Sequence, residues 1–270
     1  MATRVSIIIP TLNESEALAA LLPTLRRDCP GAELIVADGG STDDTPAIAR
    51  EADRFLTAPR GRASQMNAGA AAAAGELLWF LHADSSPPRD AFTQIEEILA
   101  SGCCGGCFRI WFDERAWVFR ISDAIGNFKV DLSGITYGDH GIFCTADAFY
   151  RVGGFPSVPL FEDADFYRAL GRWGSVRQAR SYIVTSARRY HTHGPWRTTL
   201  LYIALTALYV LGFSRQRLAR LYARSFDVPV PTGSFDGQAR GNPNGAKEAL
   251  NARSKKRWSG KLRTLFNALG

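Results

Sequence analysis

The sequence predicts an α/β protein with a mostly parallel central sheet flanked by helices. Two observations carry that expectation, and a third bears on partners. In the first third of the chain, short β-branched apolar runs alternate with segments whose apolar residues recur at helical spacing. Polar, reactive residues stand directly after those runs: Thr11, Asn13 and Glu14 after the first, Asp38 after the second, His82 and Asp84 after the fourth. An open α/β sheet holds its ligand at the carboxyl ends of its strands, so this placement fits. The positive charge, finally, lies at one end. Residues 232–270 carry eight Lys+Arg against two Asp+Glu, the whole of the net +6. Residues 1–231 are therefore neutral, and a nucleic-acid partner has no electrostatic support.

Residues 5–9 form a β-branched run typical of a buried parallel strand. The run meets Pro10, so it reads as a strand and not as the core of a secretory signal, and a cytoplasmic location is expected. Asn13 or Ser15 is placed to cap a helix through Leu18, Leu21, Leu22 and Leu25, with Pro23 expected to kink or divide it. Residues 34–37 are the second strand. Thr45 before Pro46 reads as a helix N-cap, and residues 55–57 as a weak third strand. A helix over 63–74, a strand over 77–81 and a helix opened by Pro88 follow. The second half is less regular, with strands expected at 108–112, 141–145 and within 176–186, and a helix at 162–173. The apolar helix over 200–213 is shorter than the roughly 20 residues a membrane span needs, and fits a buried or interfacial helix.

The domain organisation follows. Residues 1–231, with apolar helices over 196–224, form the main α/β domain, and 232–270 form a basic linker and tail. In the tail, Trp258, Leu262, Leu265, Phe266 and Leu269 recur at helical spacing beside Lys255, Lys256, Arg257, Lys261 and Arg263. Such a helix favours anionic lipid, so a peripheral contact at the inner membrane face is one expectation, and a loosely docked extension the other. Five cysteines make no even framework, and Cys104-x-x-Cys107 has no second pair, so reduced structural thiols are expected.

The motifs Ile8-Ile9-Pro10-Thr11-Leu12-Asn13-Glu14 and Val36-Ala37-Asp38-Gly39-Gly40-Ser41-Thr42-Asp43-Asp44-Thr45 closely resemble the opening of family 2 glycosyltransferases, of the glycosyltransferase-A type. The likeness continues through Gly61-Arg62-Ala63-Ser64-Gln65-Met66-Asn67-Ala68-Gly69, Phe80-Leu81-His82-Ala83-Asp84 and Phe161-Glu162-Asp163-Ala164-Asp165-Phe166. The set is most similar to a bacterial subgroup with His-Ala-Asp as its metal motif. The resemblance implies the glycosyltransferase-A (nucleotide-diphospho-sugar transferase) fold. It also implies metal-dependent, inverting transfer of a sugar from a nucleoside-diphosphate sugar to an acceptor hydroxyl; the membrane pattern of the basic tail adds a lipid-linked acceptor as one expectation.

That chemistry needs charge to offset the departing diphosphate, a base for the acceptor hydroxyl and directional bonds for the nucleoside. By resemblance, Pro10, Thr11 and Glu14 line the nucleoside pocket, and Asp38 accepts a hydrogen bond from base or ribose. The alternative for Asp38 is an ordinary Asp-Gly-Gly turn. Arg62 and Asn67 match the segment that approaches the nucleotide. Asp84 is the implied ligand of a divalent cation, Mn2+ or Mg2+. His82, two residues away, is either a second ligand or a core histidine, and imidazole suits manganese or zinc better than magnesium. Glu162 and Asp163 match the acidic pair that holds the base, with Asp163 the base itself. Like-charge repulsion would raise its pKa, and the bland alternative is a pair of acids complementing a helix dipole. Asp139 and His140 fall on the acceptor side, and Arg188, Arg189, Tyr190 and His193 where diphosphate contacts and a further metal ligand lie. Two other readings stay open: a sugar-phosphate nucleotidyltransferase, which would want a Gly-rich basic loop after the first strand, and a nucleotide-sugar-binding scaffold without catalysis.

Overall fold

The computed structural model describes residues 4–114 and 116–228, so the basic tail and its amphipathic pattern lie outside the described residues. The first half runs β1 (Val5–Thr11), α1 (Ser15–Asp28), β2 (Glu33–Asp38), α2 (Thr45–Ile48), β3 (Arg54–Thr57), α3 (Arg62–Ala72) and β4 (Leu77–Phe80). The second adds β5 (Ser85–Ser86), α4 (Ala91–Ala100), β6 (Gly105–Phe112), α5 (Trp117–Ser133), β7 (Phe143–Thr145), α6 (Ala146–Val152), α7 (Glu162–Trp173), β8 (Val176–Thr185), α8 (Arg188–His193), α9 (Pro195–Val210) and α10 (Arg215–Phe226).

These strands form one sheet in the order β3-β2-β1-β4-β7-β6-β8-β5. The pairs β1–β2, β2–β3, β1–β4 and β6–β8 are parallel, while β7 and β5 run antiparallel to their neighbours. Alternation along each strand splits the core into two layers. Ile7, Ile9 and Trp79 face α1 and α4, packing on Leu18, Leu22, Leu25 and Ile95. Ile8, Leu78 and Phe80 face α3, α6 and α7, packing on Met66, Phe149 and Phe166. Burial on both faces explains why β1 and β2 are near-continuous apolar runs.

Several expectations meet corrections. Pro23 neither divides nor ends α1. It is exposed, as is Ala19, so the carbonyl that loses its helical partner faces solvent. Neither Asn13 nor Ser15 caps that helix. Glu14 is its N-cap residue without a side-chain bond, and Asn13 Oδ1 instead accepts from Thr42 N at 2.8 Å. Thr45 is the first residue of α2 rather than its cap. Its buried hydroxyl accepts from Glu14 N at 2.9 Å, tying two loops together. The 17-residue α5 was not anticipated at all. The apolar helix starts at Pro195, and no described helix is long and apolar enough to cross a membrane.

The approach of α3 to β1 is set by Gly69. A Cβ there would overlap the Ile8 side chain, which is itself fully buried. Gly69→Ala is expected to cost about 1–3 kcal/mol of stability as the helix is forced off the strand. Urea denaturation monitored by circular dichroism measures it, and an unchanged midpoint would refute the tight-packing account.

Candidate active site

The carboxyl ends of β1 and β2 lie side by side, with Thr11 opposite Asp38 in the parallel register. Their loops are heavily self-bonded. Asp38 Oδ2 accepts from Gly40 N and Ser41 N, both at 2.9 Å, and Oδ1 accepts from the hydroxyls of Thr11 and Ser41. Its carboxylate thus builds the turn it stands in. Gln65, buried on α3, donates to the carbonyls of Thr11 at 2.6 Å and Ala37 at 2.9 Å, holding both strand ends to the helix. Pro10 and Thr11 are buried in β1. Asn67 uses both ends of its amide on Phe155, donating to its carbonyl at 2.8 Å and accepting from its N–H at 2.9 Å.

A cavity of about 640 Å³ opens at the start of α3 and beyond the end of β4. Arg62, His82, Asp84, Asp139, His140, Asp163 and His193 all line it. Chain direction explains the convergence. After β4, Leu81 and Ala83 are buried in the core while His82 and Asp84 turn to the cavity. The start of α7 brings Asp163, and the turn of 3-10 helix at Gly138–His140 brings Asp139 and His140. Gly138 lets them meet, since a Cβ there would overlap His82 Nε2 and stand 2.9 Å from Asp163 Oδ2.

Within this cavity four buried polar atoms have no hydrogen-bond partner among the described residues: His82 Nε2, Asp139 Oδ1, His140 Nε2 and Asp163 Oδ1. Unpaired buried polar atoms are rare in folded proteins and cost stability, so a cluster of them marks a site built for a ligand. His140 Nδ1 lies 3.0 Å from the Phe108 carbonyl, which can only accept. That nitrogen therefore carries the proton, and burial lowers the pKa of the ring and keeps it neutral. Nε2 is then a bare lone pair. Burial also lowers the pKa of His82.

The acidic pair divides into two roles. Glu162 is buried and accepts from Arg62 Nε at 2.7 Å, an ion pair across α3 and α7. Asp163 faces the cavity, and its carboxyl is pushed up to about 7. Burial is the main cause, then the charge of Glu162, opposed by Arg62 and by the Gly138 N–H that donates to it. Phe161, just before the pair, holds a left-handed φ of 69°, fixed by stacking on Tyr209 at 4.5 Å.

The structure thus brings together Arg62, His82, Asp84, Asp139, His140, Asp163 and His193, and leaves Pro10, Thr11, Glu14, Asp38, Asn67 and Glu162 outside the cavity lining. Among the described residues no three His, Cys, Asp or Glu side chains form a metal-holding group on their own. The five cysteines are buried free thiols. Three residues were missed. Gln65 stands in a quoted motif, where a polar residue on a buried helical face was an available signal, and Gly138 directly precedes Asp139. Lys129, held over the Tyr137 ring at 3.4 Å and lining the cavity, had no such signal because its helix was not anticipated.

The profile described as "Glycosyl transferase family 2" matches residues 6–155, more than half the chain. The chain belongs to glycosyl transferase family 2. The chain is 41% identical over 90 residues to a PGL/p-HBAD biosynthesis glycosyltransferase of Mycobacterium bovis, covering 30% of this chain and 35% of the relative. It therefore spans about a third of the length of that relative. It is 26% identical over 246 residues, 81% of this chain and 72% of the other, to the undecaprenyl-phosphate 4-deoxy-4-formamido-L-arabinose transferase of Pseudomonas savastanoi. Among solved structures, a mannosyltransferase from Pyrobaculum calidifontis, in complex with GDP-Man and Mn2+, superposes with a TM-score of 0.56 at 21% identity, covering 83% of this chain and 69% of that one. At that identity the likeness establishes the fold, which is glycosyltransferase-A.

The raised Asp163 pKa has a consequence for stability. Between the ordinary carboxyl range and about 7, the folded chain keeps a proton that the unfolded chain releases, so this group costs stability as pH rises across that window. Asp163→Asn removes the cost. Its melting temperature is expected to exceed the parent's by more at about pH 8 than at about pH 5, and equal gains at both, measured by scanning calorimetry, would refute the burial account.

Proposed function

We propose that this glycosyltransferase moves a sugar from a nucleoside-diphosphate donor to an acceptor hydroxyl with inversion, and that Asp163 is the base. The observation that carries the reading is a buried carboxyl, pushed up to about 7 and with one oxygen unpartnered, in the same cavity as Asp84 and Arg62. A base poised near the working pH is half ionised and still strong enough to take a proton. In a single displacement the acceptor oxygen bonds to the anomeric carbon as the bond to the diphosphate breaks, and the hydroxyl proton passes to Asp163. The diphosphate leaves with the bonding electrons.

A divalent cation fits the chemistry of the donor set. Asp84 supplies the hard oxygen, while His82, with its buried unpartnered Nε2, and His193 supply imidazoles on the same cavity. Because no described cluster is complete by itself, the diphosphate oxygens would fill the remaining positions. When bound, the cation neutralises charge on the leaving diphosphate. The Mn2+ and GDP-Man held by the solved mannosyltransferase support this choice. Arg62 adds fixed positive charge on the same side, and Glu162 keeps it in place through the 2.7 Å ion pair. The bare Nε2 of His140 and the free oxygen of Asp139 are acceptors for acceptor-sugar hydroxyls. Pro10, Thr11, Glu14, Asp38 and Asn67 then shape the nucleoside side, Asp38 through the turn it bonds.

Two measurements test the reading. Nucleoside diphosphates should raise the melting temperature with Mn2+ and much less without it, and Asp84→Ala should erase that difference. Asp163→Asn should keep the Mn2+-dependent shift and lower transfer from nucleotide sugars by about 10²–10⁴-fold. In the parent, kcat/KM should rise with pH up to about 7 and then level as Asp163 loses its proton. Transfer that survives Asp163→Asn unchanged would remove the base assignment.

A further inference from the structure

The α5–α9 pair turns apolar residues outward as well as inward. The exposed residues of α5 include Trp117, Ile121, Ile125 and Phe128, spaced along one helical stripe, with Trp117 65% and Phe128 66% exposed. On α9 the exposed stripe is Trp196, Leu200, Ile203, Ala204, Ala207 and Val210, with Leu200 61% exposed. Between the helices, by contrast, a polar pair is buried: Ser122 and Thr199 share a hydrogen bond of 2.8 Å. Helices on a water-facing surface put polar residues outward, so apolar stripes here mark a surface meant for something other than water.

The two stripes are joined and lead to the active site. Trp117 and Trp196 touch edge to face, with ring centroids 4.9 Å apart. Ile125 and Ile203, each about two-fifths exposed, also line the cavity that holds Asp163. The apolar surface is thus continuous with the wall of the acceptor side. Its electrostatic setting identifies the occupant. Residues 195–226, which include α9 and α10, carry five arginines and no acid, and Arg197, Arg217, Arg220 and Arg224 are exposed. Exposed aromatic and aliphatic residues flanked by the exposed Arg197, Arg217, Arg220 and Arg224 match an anionic bilayer, where the apolar groups enter the acyl boundary and the cations meet lipid phosphates. A second copy of the chain would bring the same basic flank with it and gains no such complementarity.

We propose that the exposed faces of α5 and α9 dock on an anionic lipid bilayer and open the cavity onto its surface, so that the acceptor is an amphiphile carried in that bilayer. The proposal rests on the transferase reading for the identity of the cavity. The lipid contact itself does not depend on it. The acceptor's hydroxyl end enters between Ile125 and Ile203, and its apolar chain stays in the lipid against the two stripes.

Flotation of the full chain with phosphatidylcholine vesicles, with and without phosphatidylglycerol, tests the idea. The chain should float with the anionic vesicles at low salt. Trp117→Ser/Phe128→Ser/Leu200→Ser should lower vesicle partition at least ten-fold, while the Mn2+-dependent thermal shift with nucleoside diphosphates, measured without vesicles, stays at the parent's value. A retained shift shows that the variant is folded and that the active-site reading stands apart from the lipid claim. Bromine-bearing acyl chains should quench the parent's tryptophan fluorescence more than that of Trp117→Phe/Trp196→Phe. Three results would overturn the proposal: no flotation of the parent, flotation of the triple variant equal to the parent's (lipid held by the basic tail alone), or a parent dimer in sedimentation that the triple variant breaks into monomers.

Discussion

A carboxyl group kept out of water at the start of α7 is the constraint around which the site is arranged. Burying a carboxylate is expensive, and the fold compensates only in part. Arg62 is spent on Glu162, one residue earlier, and Gly138 offers a single backbone N–H to Asp163. The residual cost appears as the raised pKa, which is the property a base requires. The helix that carries this cost is anchored on both sides. Glu162 ties it to α3, and Asp165 accepts from Tyr209 at 2.7 Å and from Arg215 at 2.8 Å, tying it to α9 and α10. Arg62 is nearly half exposed, and Asp165 and Arg215 about a quarter, so solvent screens these pairs and their net contribution to stability is small. These links are therefore better understood as fixing where α7 begins than as sources of stability.

Two sides of the same sheet edge follow opposite rules. At the ends of β1 and β2 nearly every polar group is satisfied within the loops, from Asp38 on its own turn to Gln65 on two carbonyls. A satisfied loop is rigid and presents a fixed shape. At the cavity the polar atoms of His82, Asp139, His140 and Asp163 are left open. Gly138 marks the border, where absence of a side chain lets imidazole and carboxyl approach from opposite walls. A preorganised frame with unsatisfied groups at its centre is the arrangement expected of a site whose bonds are completed by substrate.

Much of this was legible in the sequence, and the failures have physical causes. Strands buried on both faces write themselves as unbroken β-branched runs, so β1, β2 and β4 were found, and the helix at 162–173 was found to the residue. Of the cavity residues, His82 and Asp84 were legible as reactive groups after a strand, and Arg62, Asp139, His140, Asp163 and His193 only through the likeness to family 2 glycosyltransferases. Local polar chemistry was harder. Asn13 looks like a cap but bonds Thr42 across a gap of 29 residues, a contact that no local pattern encodes. Asn67 likewise serves Phe155, 88 residues away. Pro23 stays within α1, where it and Ala19, one turn before, are both exposed, and exposure is not written in the local sequence.

The missed α5 shows the limit most clearly. Sequence reading locates a helix by an apolar face that turns inward, and α5 turns Val118, Phe119 and Val130 inward while turning Trp117, Ile121, Ile125 and Phe128 outward. Apolar residues on both faces blur the period on which the inference rests. In a soluble setting that pattern belongs to a helix buried on all sides, yet α5 is not buried. The conflict disappears if the outer face has its own apolar medium. The feature that hid the helix from its sequence and the feature that sets its outer surface apart from water are then one and the same. The polar Ser122–Thr199 bond within the pair belongs to the same logic. Where little apolar contrast exists between inside and outside, packing alone cannot fix how two helices meet, and a buried hydrogen bond does so instead.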